Sequence, residues 1–133
     1  MEKLVIIPTF NEKENIEKII DAVIGLQQGY HILIIDDNSP DGTAAIIESL
    51  IPKYSGQLFL EKRVGKLGLG TAYIYGFKCA IEKGYRFIFE MDADFSHRPI
   101  DLDALYLACK IGAGVAVGAR FLRGGYVAIW PAD

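Results

Sequence analysis

The stretch FEMDADFSHR, residues 89–98, is decisive for the fold, because an apolar run ends in it at two carboxylates separated by one residue. The segment YRFIFEMD, residues 85–92, predicts a buried strand that leads into this pair. Asp92 and Asp94 therefore lie at the carboxyl end of a predicted strand, where a ligand-binding edge of a sheet is expected if that sheet is parallel.

Short apolar runs alternate with amphipathic stretches along the rest of the chain. The apolar runs predict strands over residues 3–8, 30–36, 57–62, 85–92 and 113–120. Helical spacing predicts helices over residues 14–26, about 42–53, 69–83 and 100–112. Since the predicted strands are continuously apolar, the order βαβαβαβαβ predicts an α/β fold, a Rossmann-like and mainly parallel sheet with helices on both faces.

Local signals predict where the helices begin and end. Asn11 is a candidate cap for the first helix, and either Ser39 or Asp41 for the second. Gly84 is expected to close the third.

Composition narrows the function classes. The 133 residues are 51% apolar, which suits one domain, and the net charge of -3 gives no basic surface for nucleic acid. Neither cysteine, Cys79 nor Cys109, has metal-ligand spacing, so both are expected to be reduced thiols. No apolar run reaches the length of a membrane span, and we expect a cytoplasmic location.

Every predicted strand is followed by polar or glycine-rich residues. These segments are PTFNE (8–12), DDNSPDGT (36–43), KRVGKLGLG (62–70), DADFSH (92–97) and GARFLRGG (118–125). Carboxyl ends of parallel strands meet at one edge, so acidic and basic segments converge there. Asp92 and Asp94 could bind one Mg²⁺ or Mn²⁺, because these ions take one or two carboxylates and complete their shell with water and phosphate oxygens.

Three other motif interpretations fail. The segment DADFSHRPIDLD lacks the glycine and glutamate of a calcium loop. The segment GLGTAY has Tyr73 in place of the third glycine of a dinucleotide fingerprint and follows the third strand. No phosphate-binding G-x-x-x-x-G-K-[ST] loop occurs.

The adjacent acids Asp36 and Asp37 cannot both face inward, so one is expected to brace the turn while the other contacts a ligand. The basic, glycine-rich segment around Lys62, Arg63 and Lys66 is expected to be a loop that could close over an anion. For His97, bracing the turn and bonding phosphates both remain open.

Five motifs together resemble a known family. PTFNEKENI, IIDDNSPDGT, GKLGLGTAYIYG, MDADFSHRP and GAR occur in this order over the whole chain. They resemble the polyprenol- and dolichol-phosphate mannosyltransferases, within the inverting family 2 glycosyltransferases of GT-A fold. This resemblance implies mannose transfer from GDP-mannose to a polyprenyl or dolichyl phosphate, with Mg²⁺ or Mn²⁺ as cofactor.

The resemblance also implies roles for individual residues. The nucleotide pocket would be lined by Pro8, Phe10, Glu12, Ile35 and Asp37. The donor diphosphate and its metal would be held by Asp92, Ala93 and Asp94, with Ser96 completing the metal shell. Arg120 would approach a phosphate, and it is grouped with Asp94 as catalytic. Phe10 stands where the family often has Tyr, so a hydroxyl contact is absent.

The family's catalytic domain continues beyond the fifth predicted strand. Residues 1–133 are therefore expected to be the nucleotide-sugar-binding, N-terminal part, without the acceptor-binding part. The isoprenoid acceptor implies peripheral work at the cytoplasmic face of a membrane, with a membrane-anchoring partner or C-terminal region. The alternatives are another nucleotide sugar, a haloacid-dehalogenase-type phosphatase with Asp92 as nucleophile, and a nucleotide-binding fragment without turnover.

Overall fold

The computed structural model describes residues 3–65, 68–94, 98–110, 115–117 and 127–129. The strands in this part of the chain are β1 (Lys3–Thr9), β2 (His31–Asp36), β3 (Leu58–Lys62), β4 (Phe87–Glu90), β5 (Val115–Val117) and β6 (Val127–Ile129). The helices are α1 (Ile16–Gly25), α2 (Thr43–Leu50), α3 (Leu69–Glu82) and α4 (Asp101–Lys110).

The strands form one sheet in the order β3-β2-β1-β4-β6-β5. The first four are parallel to one another, whereas β6 runs antiparallel to both β4 and β5. The prediction of a mainly parallel α/β sheet is confirmed. β6 is not among the predicted strands, and β5 pairs with β6 rather than directly with β4.

Alternation along β1 divides the core between the two faces of the sheet. Val5 and Ile7 pack with buried residues of α1, α2 and α4 on one face, and Leu4 and Ile6 pack with α3 on the other. All four side chains are essentially inaccessible to solvent. Because both faces are covered, β1 is apolar from Leu4 to Pro8.

Helix α1 begins at Ile16, later than the predicted start at residue 14, and Asn11 does not cap it. Asn11 has φ 57° and lies in the preceding loop, where its backbone N–H donates to Ser39 Oγ at 2.9 Å. Asp41 acts at the start of α2, since its Oδ1 accepts from the Thr43 backbone N–H at 3.0 Å. Gly84 closes α3 in a left-handed conformation, as predicted.

Helix α3 lies unusually close to the sheet at Gly76. A Cβ atom there would stand 2.7 Å from Ile6 Cγ2 and 3.1 Å from Ile35 Cδ1. Ala72 and Ala80, one turn to either side, are fully buried. Small side chains along this line let α3 approach β1 and β2 and set the position of everything that α3 carries.

Candidate functional site

A cavity of about 260 Å³ opens where the carboxyl ends of β1, β2 and β4 meet. It is lined by Pro8, Thr9, Phe10, Glu12, Asp37, Gly68, Asp92, Ala93 and Asp94. β1 lies between β2 and β4 in the sheet, so the segment after β1 forms the floor and the acids after the neighbouring strands form the two sides. This is the edge at which parallel α/β sheets bind ligands.

The two adjacent acids after β2 have separate tasks. Asp36 is buried, and its carboxylate accepts from Thr9 Oγ1 at 2.7 Å, Ser39 Oγ at 2.6 Å and the Ser39 backbone N–H at 3.0 Å. Asp37 points the other way and lines the cavity. Asp36 therefore braces the turn, and Asp37 faces the cavity.

Arg63, which follows β3, holds the Asp37 carboxylate by both oxygens. Arg63 Nε donates to Oδ1 at 2.6 Å and Nη2 donates to Oδ2 at 2.9 Å. The same guanidinium donates to Thr71 Oγ1 at 3.1 Å and to the Gly68 carbonyl at 3.3 Å. A single planar fork thus fixes Asp37 and ties it to the start of α3.

Reciprocal hydrogen bonds join the loop after β1 to the loop after β2. Besides the bond from Asn11 to Ser39, the Glu12 backbone N–H donates to Thr43 Oγ1 at 3.0 Å and the Lys13 backbone N–H donates to Asp41 Oδ2 at 3.2 Å. These bonds hold the loop that places Phe10 and Glu12 at the cavity. The turn-forming segment 38–43 is therefore the support of the cavity floor, beyond its role in ending a strand.

Strand β4 ends at Glu90, two residues earlier than predicted, and Asp92 to Asp94 enter a turn. The Met91 backbone N–H still donates to the Ile6 carbonyl at 3.1 Å, which anchors the turn to β1. Asp92 is half-buried and Asp94 is exposed, and both line the cavity. Asp92 Oδ1 accepts from the hydroxyl of Tyr73, on α3, at 2.9 Å.

Four of the residues that line the cavity carry carboxyl groups, namely Glu12, Asp37, Asp92 and Asp94. Burial raises the pKa of the Glu12 carboxyl, and the charges of Asp94, Asp41 and Asp92 raise this pKa further. Burial, and then the Asp92 charge, raises the pKa of Glu90 to about 7. A cation between these groups would relieve the repulsion.

The donor set fits a hard divalent cation that also binds phosphate. Asp92 and Asp94 supply carboxylate oxygens to one wall, and a Mg²⁺ or Mn²⁺ ion would take its other ligands from a diphosphate and water. Within the described ranges, no cluster of three or more His, Cys, Asp or Glu side chains could hold a metal by itself. The site therefore suits an ion that arrives with an anionic ligand.

The structure brings together Pro8, Phe10, Glu12, Asp37, Asp92, Ala93 and Asp94 from the predicted site. Ile35 is not among the residues that line the cavity, and its side chain is fully buried in the cluster between α3 and the sheet, so its contact with a base stays a prediction. Ser96, His97, Arg120 and Lys66 lie outside the described residues.

Three further residues belong to the site but are not among the residues predicted for it. Thr9 and Gly68 line the cavity, and Tyr73 bonds Asp92. Thr9 is part of the segment PTFNE, between the predicted residues Pro8 and Phe10, and its position at a strand end could have identified it. Tyr73 was noticed only as a mismatch to a glycine fingerprint, because no spacing rule connects a helix to an acid 19 residues later.

The model of glycosyl transferase family 2 matches residues 4–132. The chain belongs to this family. It is 44% identical over 128 residues to polyprenol monophosphomannose synthase of Mycolicibacterium smegmatis, covering 96% of this chain and 48% of that protein. It is 40% identical over 133 residues to dolichol-phosphate mannosyltransferase of Pyrococcus furiosus, covering 98% and 36% respectively. The chain thus spans about half the length of these family members or less.

Solved structures show the same fold at low identity. The mannosyltransferase PcManGT of Pyrobaculum calidifontis, in complex with GDP-Man and Mn²⁺, has a TM-score of 0.58 at 22% identity, covering 70% of this chain and 27% of that one. TarS of S. aureus with UDP-GlcNAc has a TM-score of 0.68 at 21% identity, covering 86% and 33%. The fold is the GT-A glycosyltransferase fold, and fold likeness extends to proteins solved with different nucleotides.

The described part of the chain contains no helix with the length and apolarity of a membrane span. Cys79, on α3, is a free, half-buried thiol, as expected.

Proposed function

We propose that residues 1–133 form the donor-binding part of an inverting mannosyltransferase, which transfers mannose from GDP-mannose to a polyprenyl or dolichyl phosphate. The observation that carries the proposal is the cavity itself, in which Asp37 on one side and Asp92 and Asp94 on the other flank a floor of Pro8 to Glu12. The names of the two relatives, which are 44% and 40% identical to the chain over the aligned residues, supply the sugar and the acceptor class.

The Asp37 side of the cavity suits the nucleoside. Arg63 holds the Asp37 carboxylate in one orientation, which suits it to accept hydrogen bonds from a ribose or a base. Phe10 offers an apolar surface, and Glu12 a further acceptor. A nucleoside placed here would extend its phosphates toward Asp92 and Asp94.

The opposite side suits the diphosphate. Asp94, and Asp92 beside it, would hold Mn²⁺ or Mg²⁺ against the phosphates, with Ser96 near the same ion. When bound, this ion would offset the negative charge that develops on the departing diphosphate. Arg120 would add a positive charge close to a phosphate.

The chemistry is one in-line displacement at the anomeric carbon, which inverts its configuration. The bond from that carbon to the diphosphate oxygen breaks as a bond to the acceptor phosphate oxygen forms. A phosphate monoester is already ionised at neutral pH, so the chain needs no strong general base. A lipid acceptor would bring the reaction to the cytoplasmic face of a membrane, with a membrane-anchoring partner or C-terminal region.

Calorimetric titration with GDP, UDP and ADP, each with and without Mn²⁺, tests the proposal. We expect GDP to bind at least about tenfold more tightly than UDP or ADP, a difference of about 1.4 kcal/mol. Metal-dependent binding should be lost in Asp94→Ala and kept in Asp21→Ala, whose carboxylate lies on α1 outside the cavity lining. Equal binding of the three nucleotides would contradict the donor assignment.

The same protein separates the alternatives. Preference for UDP would indicate another nucleotide sugar, and tight GDP binding without mannose transfer, even with the remainder of the domain supplied, would indicate a binding module. The phosphatase alternative conflicts with the family match over residues 4–132. A trapped phosphoryl adduct on Asp92 would restore it.

A further inference from the structure

The Tyr73 hydroxyl is the point where α3 touches the acidic pair. It reaches across to Asp92 Oδ1 at 2.9 Å, and its ring packs at the edge of the core between α3 and the sheet. The hydroxyl donates this bond and the carboxylate accepts it.

The close packing of α3 on the sheet fixes the position from which Tyr73 contacts Asp92. Gly76 permits the close approach to Ile6 and Ile35, and the neighbouring Ala72 is fully buried. Tyr73 follows Ala72 directly, so its Cα position is set by helix packing rather than by a loop. A rigid donor of this kind restricts the rotation of a carboxylate that itself lies in a turn.

Tyr85, which lies between α3 and β4, offers a comparison. Its side chain is 3% exposed, and its hydroxyl contacts His31 Nδ1 at 2.8 Å. That bond satisfies a buried hydroxyl and leads to no cavity residue. Of these two tyrosine hydrogen bonds, only the one from Tyr73 ends on an acid of the candidate site.

We infer that Tyr73 is a positioning residue that orients Asp92 toward the divalent cation of the donor complex. This inference rests on the proposed function, because it assumes a cation held by Asp92 and Asp94. Partners that hydrogen-bond to metal ligands fix the orientation of those ligands, and their loss commonly lowers metal affinity about 10–100-fold.

The test is Tyr73→Phe, which removes one oxygen atom and leaves the ring. Mn²⁺ binding in the presence of saturating GDP is followed by the electron paramagnetic resonance signal of the free ion. We expect the apparent Kd for Mn²⁺ to rise about 10–100-fold. In Tyr85→Phe, which loses the equivalent oxygen away from the site, we expect a change below about twofold.

A second pair of variants separates positioning from a general loss of structure. In the Asp92→Ala background, Tyr73→Phe should change Mn²⁺ affinity no further, because the group through which Tyr73 acts is gone. If Tyr73→Phe is partly unfolded by circular dichroism, the titrations are repeated in trimethylamine N-oxide, which favours the folded state.

The inference is overturned if the folded Tyr73→Phe protein binds Mn²⁺ as tightly as the parent. It is also overturned if the effect is equally large when Asp92 is already alanine. A parent protein that binds GDP identically with and without Mn²⁺ would instead reject the proposed function, and this inference with it.

Discussion

Arg63 and Asp37 form a two-bond ion pair that is almost entirely shielded from water, with the two side chains 11% and 8% exposed. The pair joins the residue after β3 to the cavity acid after β2, and Arg63 also bonds Gly68 and Thr71. A buried pair of this kind adds limited net stability when intact, but removing one member is costly because the other charge stays buried.

Arg63→Ala is therefore expected to lower the free energy of unfolding by about 3–5 kcal/mol. Arg63→Lys should recover part of this loss by keeping the charge, yet should still weaken nucleotide binding, because an ammonium cannot make the bidentate fork. Urea unfolding and calorimetry measure the two effects. The control is Lys62→Ala, which breaks an exposed pair with Glu48 at 3.4 Å and should change stability by less than about 1 kcal/mol. Equal losses in Arg63→Ala and Lys62→Ala would contradict the role of burial.

Gly76→Ala tests the close seating of α3. The added methyl would overlap Ile6 Cγ2, at 2.7 Å, so we expect a loss of about 1–3 kcal/mol in the free energy of unfolding. Gly70→Ala, in the first turn of the same helix, meets no atom within 4 Å and should be neutral or stabilising by up to about 1 kcal/mol. Thermal and urea unfolding of both variants measure these changes in stability. A stabilised Gly76→Ala protein would show that α3 is less constrained than the contact implies.

Ser39→Ala tests the junction between the loops after β1 and β2. The Ser39 hydroxyl donates to Asp36 and accepts from the Asn11 backbone, so its loss should cost about 1–2 kcal/mol of stability and weaken nucleotide binding. The same substitution at Ser49, an exposed position of α2 whose hydroxyl donates to the Ile46 carbonyl, should leave both nearly unchanged. Unaltered nucleotide affinity in Ser39→Ala would mean that the floor of the cavity does not depend on this junction.

Glu90 predicts a pH dependence of stability in metal-free buffer. Its pKa is about 7 in the folded protein, against an ordinary value of 4.5, so between these values the folded state binds the proton more tightly than the unfolded state. The stability contributed by protonated Glu90 is therefore complete below about pH 4.5 and is lost as the pH rises through about 7. Glu90→Gln should remove this decline.

The measurement is urea unfolding of the parent and Glu90→Gln from pH 5 to pH 8. The difference between the two proteins removes the contributions of Glu12 and His31, whose pKa values are raised and lowered by burial. A parent protein that gains stability over this range relative to Glu90→Gln would reverse the assigned sign.

The fold was predictable as far as it depends on long apolar runs. β1 and β2 are fully buried strands, and their runs of Val, Ile and Leu identify them without ambiguity. β6 was not predictable, because a three-residue strand at Val127–Ile129 has too few positions to show a period. Its antiparallel direction depends on its partners β4 and β5.

The acids of the site were predictable because strand ends in a parallel sheet share one edge. The residues that hold these acids in place were not predictable, because the hydrogen bonds from Arg63 and Tyr73 depend on side-chain directions that only the packed structure sets. Ile35 and Asp37 differ for a related reason, because Ile35 lies within β2 and packs in the core beside α3, whereas Asp37 follows the end of the strand and lines the cavity. The misplaced Asn11 cap reflects a tertiary bond to Ser39 that overrides a local preference.

The pairing of Thr9 with Asp36 has a consequence for how the sheet is assembled. Adjacent residues of a strand point to opposite faces, so a slip of β2 by one position would exchange Asp36 and Asp37. The carboxylate now held by Thr9 and Ser39 would then be presented to the cavity, and the one held by Arg63 would be lost from it. A ligand that binds the cavity only in the correct alignment would therefore stabilise that alignment over the slipped one.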